Sequence, residues 1–265
     1  MSALRAVTRA ELTKITTLRA GWLVLGAILA LQVLVEAQVV GLTADAVAKI
    51  TPDGTIEIFL GRPEPARAAL LEFIRASSLQ MSVFLPVLAA VIAGQEFRGG
   101  QLRASLLAVP RRGRLLAAKL VAAAGYLTLA AVLIAAISTG FSHLGVREWD
   151  PGLPVSGDAL LGQAGFILYA VLLGVSTYAI AVIARSTLAA IGVSLALITV
   201  TMTQVLAGAP GLDALFPVSA GRNLLLNPET SDLTSGPGQA VLVLVGWAVV
   251  TSLLAGLTLV QRDAR

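Results

Sequence analysis

The chain contains six apolar runs, each long enough to cross a bilayer as an α-helix, and this pattern restricts its fold more than any other feature. A helix rises about 1.5 Å per residue and the hydrocarbon core is about 30 Å thick, so a crossing needs about 20 mainly apolar residues. The runs extend from Ala20 to Leu42, Ser77 to Gln95, Leu116 to Phe141, Ala159 to Ala184, Thr187 to Gly208 and Gly238 to Val260. Composition agrees, since 57% of the 265 residues are apolar, only 13% are charged and the mean hydropathy is +0.86. A soluble domain carries charge at about a quarter of its positions, and that polar coat is missing here. The expected fold is all-α: a single polytopic domain over residues 1–265 with six transmembrane helices.

Orientation follows from Lys and Arg, which are retained in excess on the cytoplasmic side. With the N-terminus inside, 13 of the 19 Lys and Arg fall in cytoplasmic segments, and 11 of the 15 Asp and Glu fall outside. The expectation is a multi-pass protein of the cytoplasmic (inner) membrane with both termini cytoplasmic. A cleaved signal peptide is the alternative for the first run, because a basic start, the run from Trp22 to Val35 and the tripeptide Val35, Glu36, Ala37 imitate one. The long basic region and the acidic residue at the cleavage point argue for retention. The net charge of +4 suggests nucleic acid in a soluble protein. Here the asymmetry of charge explains it, and no nucleic-acid partner is expected. The absence of cysteine excludes disulfides, thiol nucleophiles and thiolate metal sites.

Two cytoplasmic elements stand out. Residues Ala3 to Leu18 form an amphipathic surface helix, with Leu4, Val7, Ile15 and Leu18 in one arc and Arg5 and Arg9 roughly opposite. Glu11 lies inside the apolar arc, with Lys14 and Ile15 one turn later to partner or bury it. Membrane lipid is the expected contact of this helix, and a partner protein meeting Glu11 and Lys14 is the alternative. The second element runs from Glu96 to Lys119 and is the most basic part of the chain. Gly99 and Gly100 break the second run, Gln101 to Ala108 make a short helix, and Pro110 ends it. Arg111, Arg112, Arg114 and Lys119 are placed where lipid phosphates lie. A bare connection would not require an ordered helix between two spans.

This segment resembles the ABC type 2 permeases, the membrane subunits of bacterial ATP-driven exporters. The resemblance is carried by Glu96, Phe97, Arg98, Gly99, Gly100, Gln101, Leu102, Arg103, Leu106, Leu107, Pro110, Arg111, Arg114 and Lys119, with Gln101 standing where Thr is commoner. A second pattern, Arg9, Glu11, Leu12, Lys14, Thr17 and Arg19, is similar to permeases of this group in high-GC Gram-positive bacteria. The resemblance covers the chain in topology and about a fifth of it in motif. It implies that Glu96 to Ala108 is a cytoplasmic coupling helix between spans 2 and 3, acting through Glu96, Phe97, Arg98, Gly99, Gly100, Leu102, Arg103 and Leu106. The implied partners are two copies of a separate ABC ATP-binding subunit and a second permease subunit, identical or similar. It also implies a central path lined by the second and fifth spans, where Gln80, Met81, Phe84, Met202 and Gln204 are the candidate path residues. The loop from Ala209 to Pro237 resembles the family's partly re-entrant outer segment, which accounts for its apolar Leu215, Phe216, Leu224, Leu225 and Leu226.

The residues themselves limit the chemistry. No phosphate-cradling glycine loop is present, so this chain is not expected to be an enzyme. No cofactor is expected within it, and ATP and Mg belong to the partner subunit. An ion-gradient-driven secondary carrier needs ionisable groups in its spans. Only Glu36 qualifies, on one helix face with Gln32, and it either meets substrate or reaches outer water. Ser176 after Gly174 and Val175 suggests a serine nucleophile, but the sole histidine, His143, lies beyond the third span. Metal-ligand clusters are absent, and no metal site is expected. Hydroxyls at Ser82, Ser176, Thr177, Thr199, Thr201 and Thr203 are explained by packing, and Pro86 is expected to kink the second span. The function expected is a permease subunit exporting an amphipathic small molecule such as a drug, antibiotic or lipid-like compound. The alternatives are the secondary carrier and a non-transporting membrane scaffold or sensor.

Overall fold

The computed structural model describes residues 2–57, 63–97, 101–109, 111–226 and 232–261, with the side chains of Ser2, Ala3, Leu102, Arg103, Ala104 and Leu106 excepted. The chain is 83% helical, which places it in the all-α class. The helices are α1 (Ser2–Thr17), α2 (Arg19–Val47), α3 (Ala66–Met81), α4 (Leu85–Gly94), α5 (Gln101–Ala108), α6 (Arg112–Val146), α7 (Gly157–Ala184), α8 (Thr187–Met202), α9 (Pro210–Asp213), α10 (Pro217–Leu225) and α11 (Pro237–Gln261). Five stretches are long and apolar enough to cross a membrane: Arg19–Val47, Ala66–Phe97, Arg112–Val146, Gly157–Ala184 and Pro237–Gln261. The protein is therefore a polytopic membrane protein.

The second span is longer than its apolar run, because α3 begins at Ala66 rather than Ser77 and its first turns pack under the loops. Leu70, Leu71 and Ile74 bury against Val146, Leu153 and Ala159, so a segment with charged residues still has an apolar face to hide. The expected effect of Pro86 is seen one turn earlier. Lacking an N–H for the Ser82 carbonyl, it leaves Ser82–Phe84 as a 3-10 turn between α3 and α4.

The fifth run differs from its sequence expectation. Helix α8 stops at Met202 and Thr203–Gly208 form turns, with Gln204 in the left-handed region at φ 52°. At 16 residues α8 spans about 24 Å, short of the hydrocarbon thickness. Chain continues through α9 into α10, which packs against α3, α7, α8 and α11 and buries Pro217, Val218, Ser219, Ala220, Gly221, Asn223 and Leu225. Sequence reading did not foresee the two-residue strands β1 (Thr55–Ile56) and β2 (Glu64–Pro65), which pair antiparallel and seat Ile56 on Ala66 and Ala69. Two residues are too few for an alternation to register.

Helix α7 is central, with 61% of its most apolar window buried against 22% for α2 and 28% for α11. The outer helices thus present apolar faces that only lipid or another protein can cover. Gly221 is where α10 meets α7, because any Cβ there would fall inside the buried ring of Tyr169. Gly221→Ala is expected to lose about 1–3 kcal/mol through overpacking. Gly246→Ala on α11, where nothing lies within 4 Å of the new Cβ, should lose nothing. Thermal unfolding of both variants in one detergent compares the two sites directly.

Candidate functional site

Four charged side chains at one end of the bundle assemble into a quartet, three of them buried and Lys14 at its edge. Helix α1 supplies Glu11 and Lys14, the 3-10 turn after α4 (Gln95–Phe97) supplies Glu96, and the second full turn of α6 supplies Lys119. Lys119 Nζ lies 2.8 Å from Glu11 Oε2 and 2.7 Å from Glu96 Oε1, and Lys14 Nζ lies 2.7 Å from Glu11 Oε1 and 4.0 Å from Glu96 Oε1. Lys119 is 2% exposed, Glu96 3% and Glu11 5%, so these charges are removed from water. Two carboxylates and two ammonium groups cancel, which is the condition for burying them at all. Lys14 also donates to Ser105 Oγ on α5 at 2.9 Å, and Tyr178 of α7 lies close enough to Glu11 and Glu96 to feel their charge. The second oxygen of Glu96 has no hydrogen-bond partner among the described residues.

Lys119 therefore departs from its sequence expectation as a lipid-facing cation. It points inward because α1 lies along α6 and brings a carboxylate to meet it. The oddity of Glu11 in an apolar arc has the same cause: that arc, through Glu11 and Ile15, is the face α1 buries against the spans. The bend from α1 to α2 at Leu18 is held by Trp22 Nε1 donating to the Thr16 carbonyl at 2.7 Å, with the Trp22 ring edge-on to Tyr126. At the same end of the bundle Arg112 donates to the carbonyls of Leu259 and Val260 on α11. Arg111 and Arg114 remain exposed.

Of the other coupling residues, Phe97 is half-buried against the core. Arg98, Gly99, Gly100 and Pro110 lie outside the described residues, as do the side chains of Leu102, Arg103 and Leu106. Helix α5 itself spans Gln101–Ala108 as expected, and its Leu107 is 76% exposed, an apolar side chain held out in the connection between spans.

The path residues divide into two groups. Gln80, Phe84, Met202 and Gln204 are exposed on the single chain, whereas Met81 is 2% exposed and belongs to the core. Helix α4 packs directly on α8, with Thr187 seated against Gly94. Glu36 does not reach water. It is 1% exposed between α2, α3 and α6, where Gln32 Nε2 donates to its Oε1 at 2.7 Å and the Ser77 and Ser138 hydroxyls face it. Ser77 and Ser138 also contact each other, while Glu36 Oε2 and Gln32 Oε1 have no hydrogen-bond partner among the described residues.

The hydroxyls assigned to packing behave so. Ser176, Thr177 and Thr203 donate to carbonyls one turn back, and Thr177 also meets Ser194 across the α7–α8 contact. His143 is exposed and contacts the Pro151 carbonyl through Nδ1, whereas Ser176 is buried and donates to the Leu172 carbonyl. Among the described residues no group of three or more His, Cys, Asp or Glu gathers. A polar knot that sequence reading missed closes the end of the bundle opposite the quartet. Asp213 accepts from Ser219, Arg222 and Thr234, and Asn223 binds Thr234 and Ser235. Its residues are scattered over a loop without periodicity, so no sequence signal pointed to it. Comparison with protein-family models gives no match, and comparison with curated proteins gives none either.

Proposed function

We propose that the protein is the membrane-spanning permease subunit of an ATP-driven exporter of the ABC type 2 kind, moving an amphipathic small molecule across the cytoplasmic membrane. The observation that carries this reading is the buried quartet, which ties α5 to the spans through Ser105, Lys14, Glu11, Glu96 and Lys119. A push on α5 is then delivered to α1, α4 and α6 together, as a two-state transmission requires. The exposed Leu107 supplies an apolar contact for a motor subunit.

Two copies of an ATP-binding subunit and a second permease, identical or similar, complete the assembly. The path runs between the two permeases, since Gln80, Phe84, Met202 and Gln204 face out of the single chain. Topology supports six crossings with both termini cytoplasmic. Lys119 meets α1 and Arg112 meets the end of α11, so both terminal helices sit at one end of the bundle and the number of crossings is even. The sixth crossing is α8, completed by the turns after it, with α9 and α10 as a segment returning into the bundle.

Arg98→Glu or Arg103→Glu is expected to abolish substrate-stimulated ATP hydrolysis in the reconstituted complex while leaving membrane insertion normal. Unchanged stimulation in both variants overturns the assignment of α5. Purification in mild detergent supplies the complementary test, because a scaffold retains no ATPase. A gradient-driven carrier is recognised by transport that stops with an uncoupler while ATP persists.

A further inference from the structure

The Glu36 cluster is separate from the quartet and is not accounted for by the mechanical reading. A carboxylate 1% exposed in the interior of a membrane protein must be neutralised, by a proton or by a positive charge, and no Lys or Arg forms an ion pair with Glu36 among the described residues. Its neighbours supply three oxygens of two kinds, the amide of Gln32 and the hydroxyls of Ser77 and Ser138.

The hydrogen-bond inventory is unbalanced in one direction. Gln32 uses its N–H on Glu36 Oε1, and Ser77 Oγ donates to the Ile74 carbonyl at 2.9 Å. That leaves Glu36 Oε2 and Gln32 Oε1 as buried acceptors without a donor. Gln32 is itself 0% exposed, so neither oxygen reaches bulk water. A surplus of buried lone pairs around one negative charge is the chemistry of a hard-cation site. A proton would neutralise the charge but would leave the Gln32 oxygen unpaired. A divalent ion would exchange one uncompensated charge for another.

We propose that Glu36, Gln32, Ser77 and Ser138 form a binding site for a small monovalent cation of the size of Na+, between α2, α3 and α6. Access is from the outer side. A cleft of about 360 Å³ lined by Leu42, Thr43, Asp45, Glu57, Leu70 and Phe73 opens between α2 and α3, and Phe73 is one turn from Ser77. Asp45 and Glu57 outnumber Lys49 on its rim, which leaves a net negative charge that concentrates cations. The proposal is independent of which motor drives the protein.

The test is thermal unfolding of the purified protein in detergent at constant ionic strength, with NaCl exchanged stepwise for choline chloride. Wild type is expected to gain melting temperature with Na+ along a saturable curve, whereas choline, too large to enter, has no effect. Glu36→Gln keeps the shape and removes the charge, so its melting temperature should be independent of Na+. Ser138→Ala, a milder change, should shift the half-saturating Na+ concentration upward several-fold. Equal melting temperatures of wild type in the two salts, or a Na+ effect that persists unchanged in Glu36→Gln and Ser138→Ala, overturns the site.

Discussion

Lys119→Met should be the most damaging single substitution at its end of the bundle, lowering stability by about 3–5 kcal/mol. The side chains are of similar length, so packing is nearly preserved and the loss is electrostatic. Among the described residues Lys119 is the only group bonded to both Glu11 and Glu96 at under 3 Å, and both carboxylates are buried. Without it, Lys14 alone faces two negative charges, with Glu96 4.0 Å away. The penalty comes from stranded carboxylates rather than from a lost bond, and this gives the check. Lys119→Met combined with Glu96→Gln should recover much of the loss in denaturation measurements, because the double variant buries one ion pair and no excess charge. A double variant as unstable as the single one would mean that the quartet is held by packing alone.

Asp213→Ala should cost about 3 kcal/mol, with its effect confined to the end of the bundle opposite the quartet. Asp213 gathers Ser219, Arg222 and Thr234 on its two oxygens, and it is 6% exposed. Removal leaves a partly buried guanidinium and two hydroxyls without their acceptor. Helix α10 has nine residues and little intrinsic stability, so it depends on these contacts to stay seated. Limited proteolysis should show cleavage between α8 and α11 rising at least tenfold over wild type, while Asp213→Asn, which keeps an acceptor, falls between the two.

The large elements were legible because bilayer thickness imposes a length on any apolar run, and α2, α6, α7 and α11 begin or end within a few residues of the runs that foretold them. Helix α5 was legible through its position before Pro110 and its resemblance to a known segment. The early end of α8 was not, since Thr203 to Gly208 remain apolar enough to continue a run while their backbone turns. The residues of the quartet were each noticed, but their assembly was not. Lys119 and Glu11 are 108 positions apart, and a one-dimensional pattern carries no sign of such a meeting. Glu36 with Gln32 was visible as a shared helix face, and Ser77 and Ser138 joined it only through tertiary packing.

That separation bears on how the protein is made. Glu11 emerges from the ribosome 108 residues before Lys119, a delay of roughly 5–20 s at ordinary rates of synthesis. Throughout that interval the N-terminal helix has an acidic group with nowhere dry to go and must wait at the wet headgroup layer. Its final docking follows insertion of the helix bearing Lys119, so a nascent chain halted before that point should leave the first sixteen residues open to water-borne reagents.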